Sequence, residues 1–222
     1  MFEMPEFNSE FLGKFLEKIL ELKPITASIL GVLIITSILG FTQRKKAKFT
    51  TKMLVYGSLC ISLSFVLSYL KLFSWPQGGS ITPGSMLPII LFASMFGTIP
   101  GIIVGLAYGL LQFIQEPYVV HWAQVFLDYP LAFGAIGLAG LVRNNLALSA
   151  FIGGLGRMIM HFLSGFIFFA SYARDAGMNP VIYSLVVNGL IIGTETLICV
   201  LISLIPQVKL ASKRVAKESY NN

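Results

Sequence analysis

Apolar residues run in long blocks along this chain, at about 25–42, 53–71, 84–97, 100–115, 121–142, 147–171 and 180–206. A helix that crosses the hydrocarbon of a bilayer needs about 20 apolar residues, so most of these blocks predict membrane-spanning helices. The block at 84–97 is too short to cross upright. It either extends into its neighbours or runs as a broken helix, a form tolerated only where protein or a cavity covers the freed backbone groups. Thr98–Ile99–Pro100–Gly101 reads as a tight turn between two blocks. Ahead of the first block, residues 8–22 place Phe11, Leu12, Phe15, Leu16, Ile19 and Leu20 on one helical face, with Asn8 or Ser9 as N-cap. Such an amphipathic helix suits the membrane interface or a partner. No internal repeat stands out, so an inverted-repeat transporter plan lacks support.

Composition strengthens the membrane reading. Of 222 residues 55% are hydrophobic and 12% charged, with a mean hydropathy of +0.79, whereas soluble domains carry about 25% charged residues. The net charge of +6 does not point to nucleic acid, because the basic residues sit at the ends of apolar blocks. Arg44, Lys45, Lys46, Lys48 and Lys52 form one cluster; Lys209, Lys213, Arg214 and Lys217 form another. Placing both in the cytoplasm and alternating the blocks gives seven crossings with the N-terminus outside. Arg143 then also lies inside, and the loops at 72–83, 116–120 and 172–179 lie outside. The acidic start (Glu3, Glu6, Glu10), with no small-residue cleavage site after it, argues against a cleavable signal peptide. Cys60 and Cys199 fall within apolar blocks and read as small core hydrophobes.

Polar residues inside the blocks mark the candidate site, since an ionisable group at mid-membrane costs about 2.5–3.5 kcal/mol on insertion scales. Asp128 and Gln124 share a helical face in the fifth block, with Tyr129 beside them. Arg157 and His161 are four apart in the sixth; Tyr183, Asn188 and Glu195 lie on the seventh. Counting turns from the outer ends puts Asp128, Tyr183 and Asn188 in an outer layer, with Arg157 and Glu195 deeper as a structural ion pair. Asp128 suits either a packing hydrogen bond to Gln124 or Tyr129 or a ligand contact. Trp75, Tyr118, Trp122, Phe169 and Tyr172 crowd the same outer level, as belt residues or as stacking surfaces for a flat, nitrogen-rich cation. The stretch SWPQGGSITPGSMLPI at 74–89 reads as an ordinary surface hairpin or as a lid over a cavity. Metal chemistry lacks its spacing: His121 and His161 are the only histidines, and no HExxH is present. No GxSxG and no P-loop supports catalysis or ATP hydrolysis.

Four strings carry a family resemblance: PQGGSITPGSMLPI, EPYVVHWAQVFLDYPLAFGAIGLAGL, HFLSGFIFFASYA and GMNPVIYSLVVNG. From about Lys52 to Ile205 the chain resembles the thiamine-specific substrate-binding subunit, or S component, of energy-coupling-factor (ECF) vitamin transporters of bacterial cell membranes. The resemblance implies an all-α integral membrane fold: a six-helix S-component bundle, here with one extra N-terminal transmembrane helix and the amphipathic helix. On this basis residues 1–48 hold the two added helices and a basic loop, 49–208 the thiamine-binding domain, and 209–222 a basic cytoplasmic tail.

The resemblance also implies an outward-side thiamine pocket, no cofactor, no enzymatic activity, and three partner subunits: a transmembrane coupling subunit and two ATPases. Position by position it places the pocket carboxylate on Asp128, its ring neighbour on Tyr129 and the amide on Gln124. Its histidine falls on His161, and its tyrosine and asparagine on Tyr183 and Asn188, with Tyr118 a further pocket position. Some members carry Glu at Asp128 and Trp at Phe169, and their loop tryptophan aligns nearer Gly79 than Trp75. Ser58 and Ser62, four apart, match the small-residue spacing through which S components dock the coupling subunit; packing within the chain is the alternative. Other readings are an S component for another small vitamin or a pyrimidine precursor, and a membrane enzyme using Asp128 and His161 as acid and base.

Overall fold

The computed structural model describes residues 49–75 and 78–220. The amphipathic helix expected at 8–22 and the first apolar block lie outside them. The described residues belong to one compact unit that begins at Lys48. Five helices are long and apolar enough to cross a membrane: α1 (Thr51–Ser68), α3 (Thr98–Gln115), α4 (Trp122–Leu141), α5 (Leu146–Phe168) and α7 (Pro180–Leu204). A shorter apolar helix, α2 (Leu87–Phe96), precedes α3. Strands β1 (Phe73–Ser74) and β2 (Ser80–Ile81) form a small antiparallel hairpin between α1 and α2. Helix α6 (Ala170–Asp175) links α5 to α7, and α8 (Pro206–Tyr220) follows α7.

Side-chain caps set several of the starts. Thr50 Oγ1 accepts the Met53 N–H, Asn145 Oδ1 the Leu148 N–H, and Asn179 Oδ1 the Val181 N–H with Pro180 at the first helical position. The turn expected at Thr98–Gly101 falls one residue earlier. Gly97, at φ +97°, makes the break, and Thr98–Gly101 is already the first turn of α3. Pro100 fits there because the first N–H groups of a helix have no intrahelical acceptor.

Helix α4 changes gauge along its length: α-helical at Trp122–Phe126, π-helical at Leu127–Leu131, α-helical again at Ala132–Ala135 and 3₁₀ at Ile136–Leu141. Pro130 supplies the cause. It has no N–H for the Phe126 carbonyl, and the widened turn, in which the Ala132 N–H reaches back to the Leu127 carbonyl, accommodates its ring.

Gly101, Gly105 and Gly109 then let α3 approach α4 backbone to backbone. A Cβ at Gly105 would stand 2.2 Å from the Phe133 carbonyl oxygen, and one at Gly109 2.5 Å from that of Tyr129. This is the small-residue approach that packs helices where lipid removes the hydrophobic drive between them.

Helix α2 forms the centre of the core, with Ile89, Ile90, Phe92 and Phe96 packed against Val104, Tyr108, Phe133, Ile136 and Cys199. Outward positions stay apolar instead, as at Leu54, Leu59, Leu63 and Val66 of α1 and Leu197 and Leu201 of α7. Helix α8 carries Val208, Val215 and Ala216 against the core and leaves Lys209, Lys213 and Arg214 exposed.

Candidate ligand-binding site

A cavity of about 300 Å³ opens among the hairpin, the end of α3, and helices α4, α5 and α7. All ten binding positions expected from the sequence line it: Trp75 and Gly79 from the hairpin, Tyr118, Gln124, Asp128 and Tyr129 around α4, His161 and Phe169 at α5, Tyr183 and Asn188 on α7. Its polar centre is the Asp128 carboxylate. Oδ2 accepts from Gln124 Nε2 at 2.7 Å, and Oδ1 lies 3.1 Å from His161 Nδ1. Thus Asp128 makes both the packing bond to Gln124 and a cross-helix contact. The π-turn widens α4 at this residue, a distortion that recurs at functional sites.

The loop after α3 is tied to α4 through the same residues. Tyr129 Oη accepts the Tyr118 N–H at 2.8 Å and donates to the Glu116 carbonyl at 2.8 Å. Gln124 donates to the Tyr118 carbonyl and accepts the Val120 N–H. Tyr118 is therefore held at its backbone, and its hydroxyl meets that of Tyr172 at 2.8 Å. That bond, then burial, pushes the Tyr118 phenol up to about 12, so the wall it forms is neutral. Its ring stacks on Phe169, with centroids 6.0 Å apart and planes 16° from parallel.

Asn188 presents an acceptor. Its Nδ2 donates to the His161 and Ser184 carbonyls and to Ser184 Oγ, so three acceptors fix the amide and leave Oδ1 for a ligand. His161 Nε2 and Trp75 Nε1 are buried without a hydrogen-bond partner, a state that is costly unless a bound molecule supplies one. Gly78 and Gly79, both at positive φ, bring the hairpin backbone against Tyr118 and Ile191.

One turn along α5 from His161, Arg157 Nη1 pairs with Glu195 Oε2 at 2.8 Å, as the structural pair expected. Arg157 also lines the cavity and lies over the Phe133 ring, 4.4 Å from its centroid. Sequence reasoning missed Phe133, Gln112, Glu116 and Ser184 as lining residues. Gln112 carried a signal, a polar side chain in an apolar block; Phe133 carried none. Ser58 and Ser62 are exposed on α1, whereas Ser64 and Ser68 of the same helix are buried. Packing within the described chain does not use the first two.

Comparison with known proteins accords with this geometry. The family described as "Thiamine transporter protein (Thia_YuaJ)" matches residues 54–215. The thiamine transporter ThiT of Bacillus subtilis is 35% identical over 147 residues, which is 58% of this chain and 75% of that one. ThiT of Lacticaseibacillus paracasei is 32% identical over 124 residues, 47% of this chain and 61% of that one. A solved structure of ThiT from Listeria monocytogenes superposes with a TM-score of 0.59 at 25% identity, covering 75% of this chain and 94% of that one. A polar, aromatic-walled cavity inside a multi-pass helical membrane protein, with a family match across it, leads to one conclusion: this chain belongs to the thiamine transporter family.

Proposed function

We propose that this protein captures thiamine from the outer side of a bacterial cell membrane, as the S component of an ECF-type importer. The observation that carries the reading is the joining of Asp128, His161 and Asn188, from three helices, around one aromatic-walled cavity. Thiamine joins an aminopyrimidine to a cationic thiazolium. The Asn188 Oδ1 acceptor and the Asp128–His161 pair suit the amino group and ring nitrogens of the pyrimidine. The rings of Tyr129, Phe169 and Tyr183 offer faces to the thiazolium, each such contact contributing about 0.5–2 kcal/mol. Asp128 balances the positive charge in a site of low dielectric, where charge-assisted bonds are stronger than in water. These residues bind and orient; in this reading none of them does covalent chemistry, and ATP is consumed by partner subunits.

The exposed Ser58–Ser62 face of α1 supports docking of the transmembrane coupling subunit, because small side chains allow close helix approach. The basic cluster before α1 and the basic face of α8 support a cytoplasmic location for both.

The deciding experiment is titration of the purified protein with thiamine while following tryptophan emission, with riboflavin as competitor. Saturable quenching that riboflavin does not relieve, with thiamine recovered unchanged, is expected. No binding, displacement by riboflavin, or conversion of thiamine to product overturns the assignment.

A further inference from the structure

We infer that Glu195 is a positioning residue for the cavity, the post to which the hairpin wall is fixed. Thr82–Pro83–Gly84–Ser85 connects β2 to α2, so its placement decides where Ser80 and the rest of the hairpin meet the cavity. Both hydroxyls of this connection donate to one oxygen of the Glu195 carboxylate: Thr82 Oγ1, and Ser85 Oγ at 2.7 Å. Thr82 Oγ1 in turn accepts the Ser85 N–H at 3.0 Å, which fixes the direction of its proton. The other oxygen of Glu195 takes Arg157 Nη1. Gly84, at φ +102°, lays the turn flat on α7, where an added Cβ would meet Ile202 and Cys199 at 3.5 and 3.7 Å.

An ion pair joining α5 to α7 would need only Arg157 and Glu195. The two hydroxyls, 113 and 110 residues away in sequence, give the carboxylate a second task. Glu195 is 1% exposed, and Thr82 and Ser85 are 3% exposed. Without competing water, each donor to a buried carboxylate counts in full. Glu195 itself does not line the cavity but Arg157 does, so cavity wall and hairpin anchor meet at a single side chain. The inference concerns how the binding site proposed above is held, and the ligand arm of its test rests on that reading.

The test uses the full-length protein in lipid nanodiscs with Trp122→Phe, which leaves Trp75 as the sole tryptophan. Thr82→Val with Ser85→Ala removes both hydroxyls and spares the ion pair; each single change serves if the double variant does not fold. Ser203→Ala, which removes a buried α7 hydroxyl without a partner, is the control. The expected result has two parts. Trp75 fluorescence anisotropy falls in the ligand-free double variant, and thiamine dissociates at least tenfold faster while its association rate stays within twofold. The control changes neither. A folded double variant with wild-type anisotropy and wild-type dissociation overturns the inference. If the parent protein binds no thiamine, the functional reading falls, and the anisotropy alone decides the role of Glu195.

Discussion

At Asp128 a carboxylate sits inside an apolar block with two partners, Gln124 along its own helix and His161 across from α5. The i,i+4 spacing made the first partner legible in the sequence, because helix geometry sets it. The second was not, because the relative placement of two helices decides it. Asp128→Asn keeps the size and removes the charge. A hydrogen bond to a charged group contributes about 1.5–3 kcal/mol, so thiamine binding should weaken by about ten- to a hundredfold, with the fold retained. Calorimetry on the purified variant checks this, and an unchanged affinity would remove Asp128 from the role of counter-charge. His161 shows the same division: its presence in an apolar block was visible, and its contact with Asp128 was not. Phe133 marks the far end of that scale, since one phenylalanine among 18 carries no sign that it will lie under Arg157.

Elements divide in the same way. Within the described residues, the apolar blocks from 53 onward are helices near their expected bounds, and the structure shows Thr50, Asn145 and Asn179 capping three of them. The π-turn at Leu127–Leu131 was not predicted, although Pro130 was its local signal; a proline in a helix is accommodated by a kink, a break or a widened turn, and packing selects among these. The close approach of α3 to α4 supplies a test. Gly105→Ala would place a methyl 2.2 Å from the Phe133 carbonyl oxygen, and overpacking of this kind costs about 1–3 kcal/mol. Gly193→Ala meets nothing within 4 Å, and there alanine should stabilise the helix by about 0.5–1 kcal/mol. Thermal unfolding in detergent should therefore move down for the first and slightly up for the second. Equal shifts would contradict the packing of α3 on α4.

On the scale of the molecule, two predictions concern surroundings. With Cys60 and Cys199 replaced, a cysteine at Ser74 should react with a membrane-impermeant maleimide in intact cells, and one at Lys213 only after permeabilisation. The reverse pattern would invert the proposed orientation. Ser58→Leu with Ser62→Leu should abolish copurification with the coupling subunit while leaving thiamine binding intact, because both residues are exposed and neither lines the cavity. Undiminished assembly would place the docking face elsewhere.

The sequence by itself determined the membrane environment, the helical class, the positions of the apolar blocks and which of them carry Gln124, Asp128, Arg157, His161, Asn188 and Glu195. Those properties follow from local composition and from the cost of placing a charge or an unpaired backbone group in hydrocarbon. Tertiary structure alone decided that Asp128 faces His161, that Arg157 lines the cavity it braces, and that Glu195 receives the hairpin connection. Each of these contacts joins residues from different elements. The two that involve α5 depend on close helix approach, as at Gly154 and Gly165 of α5, where an added Cβ would stand 2.2 Å from the hydroxyl oxygens of Thr196 and Ser184 on α7.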